Sequence, residues 1–135
     1  MEKRVGNRAF NPEAIAPPQG PYTHGVEIPE GARITFLSGQ VGVDADGTLP
    51  EDFRSQAENA LANCLAILEH NGLGMKDVVK ITQFLVRRED IPAYREARGK
   101  YLGEERPGST LLLVSGLVDP KMLIEIEMVA AKVPG

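Results

Sequence analysis

Apolar residues recur at three- and four-residue spacing in two stretches of this 135-residue chain, and alternate or cluster elsewhere. Phe53, Ala57, Ala60, Leu61, Cys64, Leu65 and Leu68 form one continuous stripe, which predicts a helix. Glu51 and Asp52 stand at its start, where carboxylates meet the positive end of the helix dipole. Asn71-Gly72 closes it in the manner of a left-handed cap. The second stretch, Ile91 to Leu102, has Asp90 as the expected N-cap, Pro92 in the first turn and Gly103 as its stop. Ile91, Tyr94, Ala97, Arg98, Tyr101 and Leu102 lie along one side of it.

The remaining apolar stretches read as strands. Ile34 to Ser38 is short and β-rich, with Gly39 behind it. Val78 to Val86 mixes alternation with a run, and Thr110 to Val114 is nearly continuous. Between Leu123 and Val133, Ile124, Ile126, Met128 and Ala130 share one face. Gly25 to Ile28 and the first few residues are weaker strands. Asp44 to Gly47 is a turn, and Pro17 to Pro21 a loop. The order is strands, helix, strand, helix, strands. It predicts one domain over 1–135, a two-layer α+β sandwich of about six strands with both helices on one sheet face. The other face is left to solvent or to a partner.

Composition narrows the function. A net charge of −4 and an aromatic content of 5% argue against a nucleic-acid surface, which needs clustered cations and stacking platforms. Met1-Glu2-Lys3-Arg4-Val5 has no apolar stretch behind its charges, so no secretory signal is read there. No apolar run is long enough to span a membrane. Cys64 is the single cysteine, which fits a reducing cytoplasm, and its place in the helical stripe makes it a core thiol. No metal or phosphate motif is found. His24 and His70 are far apart; His70 reads as a dipole-complementing residue near a helix end, and His24 as a solvated loop residue. Glu125 and Glu127 are the unusual pair, standing on the strand face opposite Ile124 and Ile126. They are either surface carboxylates on a solvated sheet or acid–base groups in a partly apolar pocket.

The segments Gly20-Pro21-Tyr22-Thr23-His24-Gly25-Val26, Phe36-Leu37-Ser38-Gly39-Gln40, Val78-Val79-Lys80-Ile81-Thr82 and Pro107 through Ile124-Glu125-Ile126-Glu127 resemble the RidA/YjgF family in order and spacing. The resemblance runs from about Pro12 to Val133. It implies a chorismate-mutase-like subunit in a homotrimer, with the three sheets forming a central barrel. It also implies clefts between subunits that take small carboxylate molecules. Well-known members hydrolyse reactive imines and enamines to a keto acid and ammonia without metal or organic cofactor.

By resemblance, Glu125 matches the residue that positions or activates the attacking water, and Tyr22 lines the cleft. Ser38 and Gly39 match a loop whose backbone approaches the ligand. The family's carboxylate-gripping arginine stands in a Pro-x-Arg-Ser pattern, whereas this chain reads Pro107-Gly108-Ser109-Thr110, so Ser109 takes its place. A guanidinium grips a carboxylate through two charge-assisted bonds and serine offers one neutral donor, a loss on the order of 2–4 kcal/mol of binding. Arg95, with Arg98 nearby, could supply a guanidinium from a new direction, or both could be exposed or paired with Glu89, Asp90 or Glu96. Three readings follow: a cofactor-independent deaminase, a non-catalytic binder using the same cleft, and a ribonuclease or translation inhibitor. The last is disfavoured by the acidic balance and the absence of paired histidines.

Overall fold

The computed structural model describes residues 6–135. Six strands and two helices follow in the order β1 (Arg8–Phe10), β2 (Gly25–Glu27), β3 (Arg33–Val41), α1 (Phe53–His70), β4 (Val78–Leu85), α2 (Ile91–Leu102), β5 (Gly108–Leu113) and β6 (Ile124–Lys132). A strand at the extreme N-terminus would fall outside the described residues. The six strands form two ladders rather than one continuous sheet: an antiparallel pair β1-β2, and a mixed four-stranded sheet in the order β3-β6-β4-β5. β1 and β2 are three residues each and largely exposed, so they have little apolar surface with which to join the main sheet. Asn7 Nδ2 tethers them to it by donating to the Ala131 carbonyl at 3.0 Å.

Both helices cover one face of the four-stranded sheet. The core between them holds Ala57, Ala60, Leu61, Cys64 and Leu68 of α1, and Tyr94, Ala97 and Leu102 of α2. Ile81 and Leu85 of β4 and Ile124, Ile126, Met128 and Ala130 of β6 complete it. The helical stripe and the strand alternation thus meet as their periods require.

The caps differ from one another. Asp52 accepts from the Ser55 N–H at 2.9 Å and caps α1. At the other end Gly72 takes φ +73°, with Leu73 N–H bonding Leu68 O at 2.8 Å and Gly72 N–H bonding Glu69 O at 3.1 Å, a complete Schellman turn. Asp90 precedes α2 but does not cap it: its carboxylate is held by Arg87, Nε at 2.7 Å and Nη2 at 3.1 Å. The expected cap fails because a guanidinium three residues upstream competes for the same oxygens.

Polar residues of α1 hold the ends of β3 and β6 in place. Gln56, fully buried, donates to the carbonyls of Pro50 (2.8 Å) and Lys121 (3.0 Å) and accepts from Leu123 N–H (2.8 Å). Asn63 donates to the carbonyls of Val41 and Val43. The chain therefore enters β6 at a fixed height, which sets where Glu125 stands.

Candidate functional site

On β6, Glu125 pairs with Val41 of β3 and Phe84 of β4. Since Ile124 and Ile126 are fully buried under the helices, Glu125 and Glu127 face the other way, onto the sheet face that carries no helix. That face has a strong apolar component: Phe36 is 75% exposed and Ile34 50%. Phe36, Lys80, Thr82, Glu127 and Val129 border a hollow of about 250 Å³ there. Glu125 is half-buried, and no group among the described residues bonds its carboxylate. It lies against the backbone of Gly39, where a Cβ would stand 2.0 Å from Glu125 Oε2. The β3–β6 register shifts between Leu37 and Gln40, so Ser38 and Gly39 sit in an irregular stretch beside the carboxylate. Ser38, Gly39 and Glu125 form one group.

The other expected residues gather elsewhere. Tyr22, Arg95 and Ser109 line a cavity of about 310 Å³ at the β5 edge, together with Gln83, Tyr94 and Arg98. The loop bearing Tyr22 is fixed to the start of β5: Thr23 N–H bonds Pro107 O at 3.2 Å, and Thr23 Oγ1 donates to Arg106 O at 2.8 Å. Ser109 pairs with Ile81 in the β4–β5 ladder and shares its helix-side face. Its Oγ accepts from Gln83 Nε2 at 3.0 Å. Glu125 and Ser109 therefore lie on opposite faces of one sheet, with β4 between their strands. The structure brings the six expected residues together in two groups, not one.

Two cavity residues, Gln83 and Tyr94, were not singled out from the sequence as site residues; Arg98, named there beside Arg95 as a source of a guanidinium, lines the cavity with them. Gln83 is 1% exposed, and its Oε1 accepts from the Tyr94 hydroxyl and from Arg98 Nε, the latter at 3.1 Å. The signal was present, because Arg98 sits in the apolar stripe of α2 and Gln83 occupies an inward position of a core strand. Burial raises the Tyr94 hydroxyl well above the usual phenol range and lowers the Arg98 guanidinium from its ordinary value. The sequence offered Glu89, Asp90 and Glu96 as partners for Arg95 and Arg98. In the structure Arg87 takes Glu89 and Asp90, while Arg54 takes Glu96 at 3.2 Å. No carboxylate among the described residues pairs with Arg95 or Arg98.

His24 is half-buried beside Tyr22, their rings 6.5 Å apart, and its backbone N–H donates to Asn11 Oδ1 at 2.8 Å. Cys64 is fully buried, and burial pushes its thiol up to about 12, consistent with a core residue. No helix is long and apolar enough to cross a membrane among the described residues.

A two-layer α+β subunit with a carboxylate on its open face and a cavity lined by arginines at one sheet edge defines the class of protein. The Endoribonuclease L-PSP family model matches residues 13–132. The chain belongs to this family, which is the RidA/YjgF family expected from the sequence. It is 34% identical over 88% of its length, and 93% of the relative, to the 3-aminoacrylate deaminase RutC of Acinetobacter baylyi. Among solved structures it resembles YyfB of the Rid family from Yersinia pestis, with TM-score 0.81 and 29% identity over 93% of this chain and 98% of that one. It also resembles Escherichia coli TdcF with bound serine, with TM-score 0.70 and 28% identity over the same shares. The family thus includes proteins named as deaminases of small, reactive amino compounds.

Proposed function

We propose that this chain is a cofactor-independent deaminase of a small imine or enamine carboxylate, working as a homotrimer in the cytoplasm. Its site forms where the β5-edge cavity of one copy meets the Glu125 face of the next. The observation that carries this reading is the unpartnered Glu125 carboxylate on an apolar, helix-free sheet face. Such a group is available as a base once a neighbouring copy excludes bulk water. The deaminase name of the Acinetobacter relative and the serine held by TdcF support the reaction class and the ligand size.

In this scheme the carboxylate end of the substrate enters the cavity bordered by Tyr22, Arg95 and Ser109, with Ser38 and Gly39 of the other copy closing over it. Glu125 takes a proton from water as its oxygen bonds to the imine carbon, and the C=N bond becomes C–N. Returning that proton to nitrogen completes the carbinolamine. Its hydroxyl proton then passes through Glu125 to nitrogen, so the C–N bond breaks, ammonia leaves and the C=O bond forms. Water is consumed, and no oxidant or reductant is needed.

Ammonia release from 3-aminoacrylate and 2-aminoacrylate, above the spontaneous rate, tests the reading. Glu125→Gln is expected to lower it by about 10²–10⁴-fold with the assembly intact. Unchanged release in that variant removes Glu125 from the chemistry. Ser109 in place of the family arginine favours one second reading, a binder that holds a small acid without turning it over. That reading predicts ligand binding with no acceleration on either enamine.

A further inference from the structure

Arg98 presents a charge that the fold leaves uncompensated. At 5% exposure a guanidinium is ordinarily held by a carboxylate, because an unpaired buried charge is costly. Arg98 has no such partner among the described residues, and the acidic groups nearest in sequence are committed to Arg87 and Arg54. Its Nε donates to Gln83 Oε1 at 3.1 Å, and the Tyr94 hydroxyl lies beside the guanidinium; both neighbours are neutral, so neither balances the charge. The residue lines the same cavity of about 310 Å³ as Ser109 and Tyr22.

The surroundings hold this charge in place. Gln83 Oε1 takes both the Tyr94 hydroxyl and Arg98 Nε, and its Nε2 donates to Ser109 Oγ at 3.0 Å and to Thr110 O at 2.9 Å. An amide bonded on both sides cannot flip without breaking contacts, so the plane of the guanidinium is fixed through it. The same network makes Ser109 Oγ an acceptor toward Gln83, leaving the hydroxyl proton free to donate into the cavity. Arg106 adds repulsion, which deepens the demand for an anion. A rigid, desolvated fork of N–H donors beside a hydroxyl matches a planar carboxylate better than any neutral group.

We propose that Arg98 is the carboxylate-recognition residue of this chain, with Ser109 as a second donor and Gln83 as the positioning residue. The cation then reaches the cavity from α2 instead of from the start of β5, with the exposed Arg95 at the rim. The proposal rests on the reading of this cavity as the ligand side of a deaminase site.

The test measures binding of 2-oxobutanoate, a keto acid of the kind such a reaction releases, and of its uncharged amide. Wild type is expected to prefer the acid by roughly 10- to 100-fold. Arg98→Gln should abolish that preference while binding the amide as wild type does. It should melt, without ligand, no lower than wild type, since an uncompensated charge has been removed. Arg98→Lys keeps the charge but not the fork and should retain part of the preference, which carries the test if the glutamine variant does not fold. Arg54→Gln, whose ion pair lies outside the cavity, should match wild type. Full acid preference in Arg98→Gln overturns the proposal and leaves the deaminase reading standing. A wild type that binds neither acid nor amide overturns both. Acid preference that depends on Arg98, without ammonia release from any enamine, keeps the proposal and sinks the deaminase reading.

Discussion

A methyl group at Gly39 would stand 2.0 Å from Glu125 Oε2, so the glycine makes room for the carboxylate. The sequence suggested a different role, close approach of backbone to ligand. The blocking group would meet the flexible end of a side chain rather than backbone. Gly39→Ala should therefore shift Glu125 at a cost of less than about 1 kcal/mol in stability, while lowering ammonia release nearly as far as Glu125→Gln. Paired melting curves and rates check this; undiminished release would separate the two residues. Cys64 gives a pH prediction. Its thiol is raised from 9.0 to about 12 in the fold, so the native chain holds a proton that the unfolded chain gives up above pH 9. The stability tied to this is present in full below pH 9 and is lost as pH rises toward 12. The melting temperature of wild type should accordingly fall more steeply over that range than that of Cys64→Ala. Parallel slopes would contradict the burial argument. Arg98 shows where residue-level reading fell short: an arginine in an apolar stripe was visible, but its isolation from acids depends on which cations claim Glu89, Asp90 and Glu96 in three dimensions.

Among the elements, α1 was the most legible. Its stripe, a carboxylate at its start and the Asn71-Gly72 stop all appear as the pattern requires, because each rests on contacts within a few residues; the structure adds that Asp52 is the cap itself. Gly72→Ala should cost about 1 kcal/mol, since φ +73° strains an L-residue, and chemical denaturation would show it as a lower midpoint with unchanged slope. Longer-range features were less visible. β5 begins at Gly108, two residues before its apolar run, because pairing with Lys80 and Ile81 recruits Gly108 and Ser109 into the ladder. The division of six strands between two ladders likewise depends on how little apolar surface β1 and β2 can offer, which periodicity does not record. Gln56 is not part of the apolar stripe, yet it ties Pro50, Lys121 and Leu123 together in the core.

For the whole molecule, the decisive geometry is that Glu125 and the cavity with Ser109 and Arg98 occupy opposite faces of one sheet. Resemblance gathered these residues into one site, while one copy of the chain keeps them apart. The proposed trimer reconciles the two by lending each cavity the carboxylate of a neighbour, and it covers the exposed ring of Phe36. Phe36→Asp should then yield single copies in sedimentation and lose ammonia release together with assembly. The most direct test uses two defective chains. Glu125→Gln keeps the cavity, and Ser109→Asp places a repelling charge within it while keeping Glu125. Neither alone should release ammonia from 3-aminoacrylate above background. Unfolded together in equal amounts and refolded, they should recover about one quarter of wild-type activity per site, the fraction of mixed contacts that join an intact cavity to an intact Glu125. No recovery from a verified mixed assembly of an active wild-type enzyme would contradict the shared site.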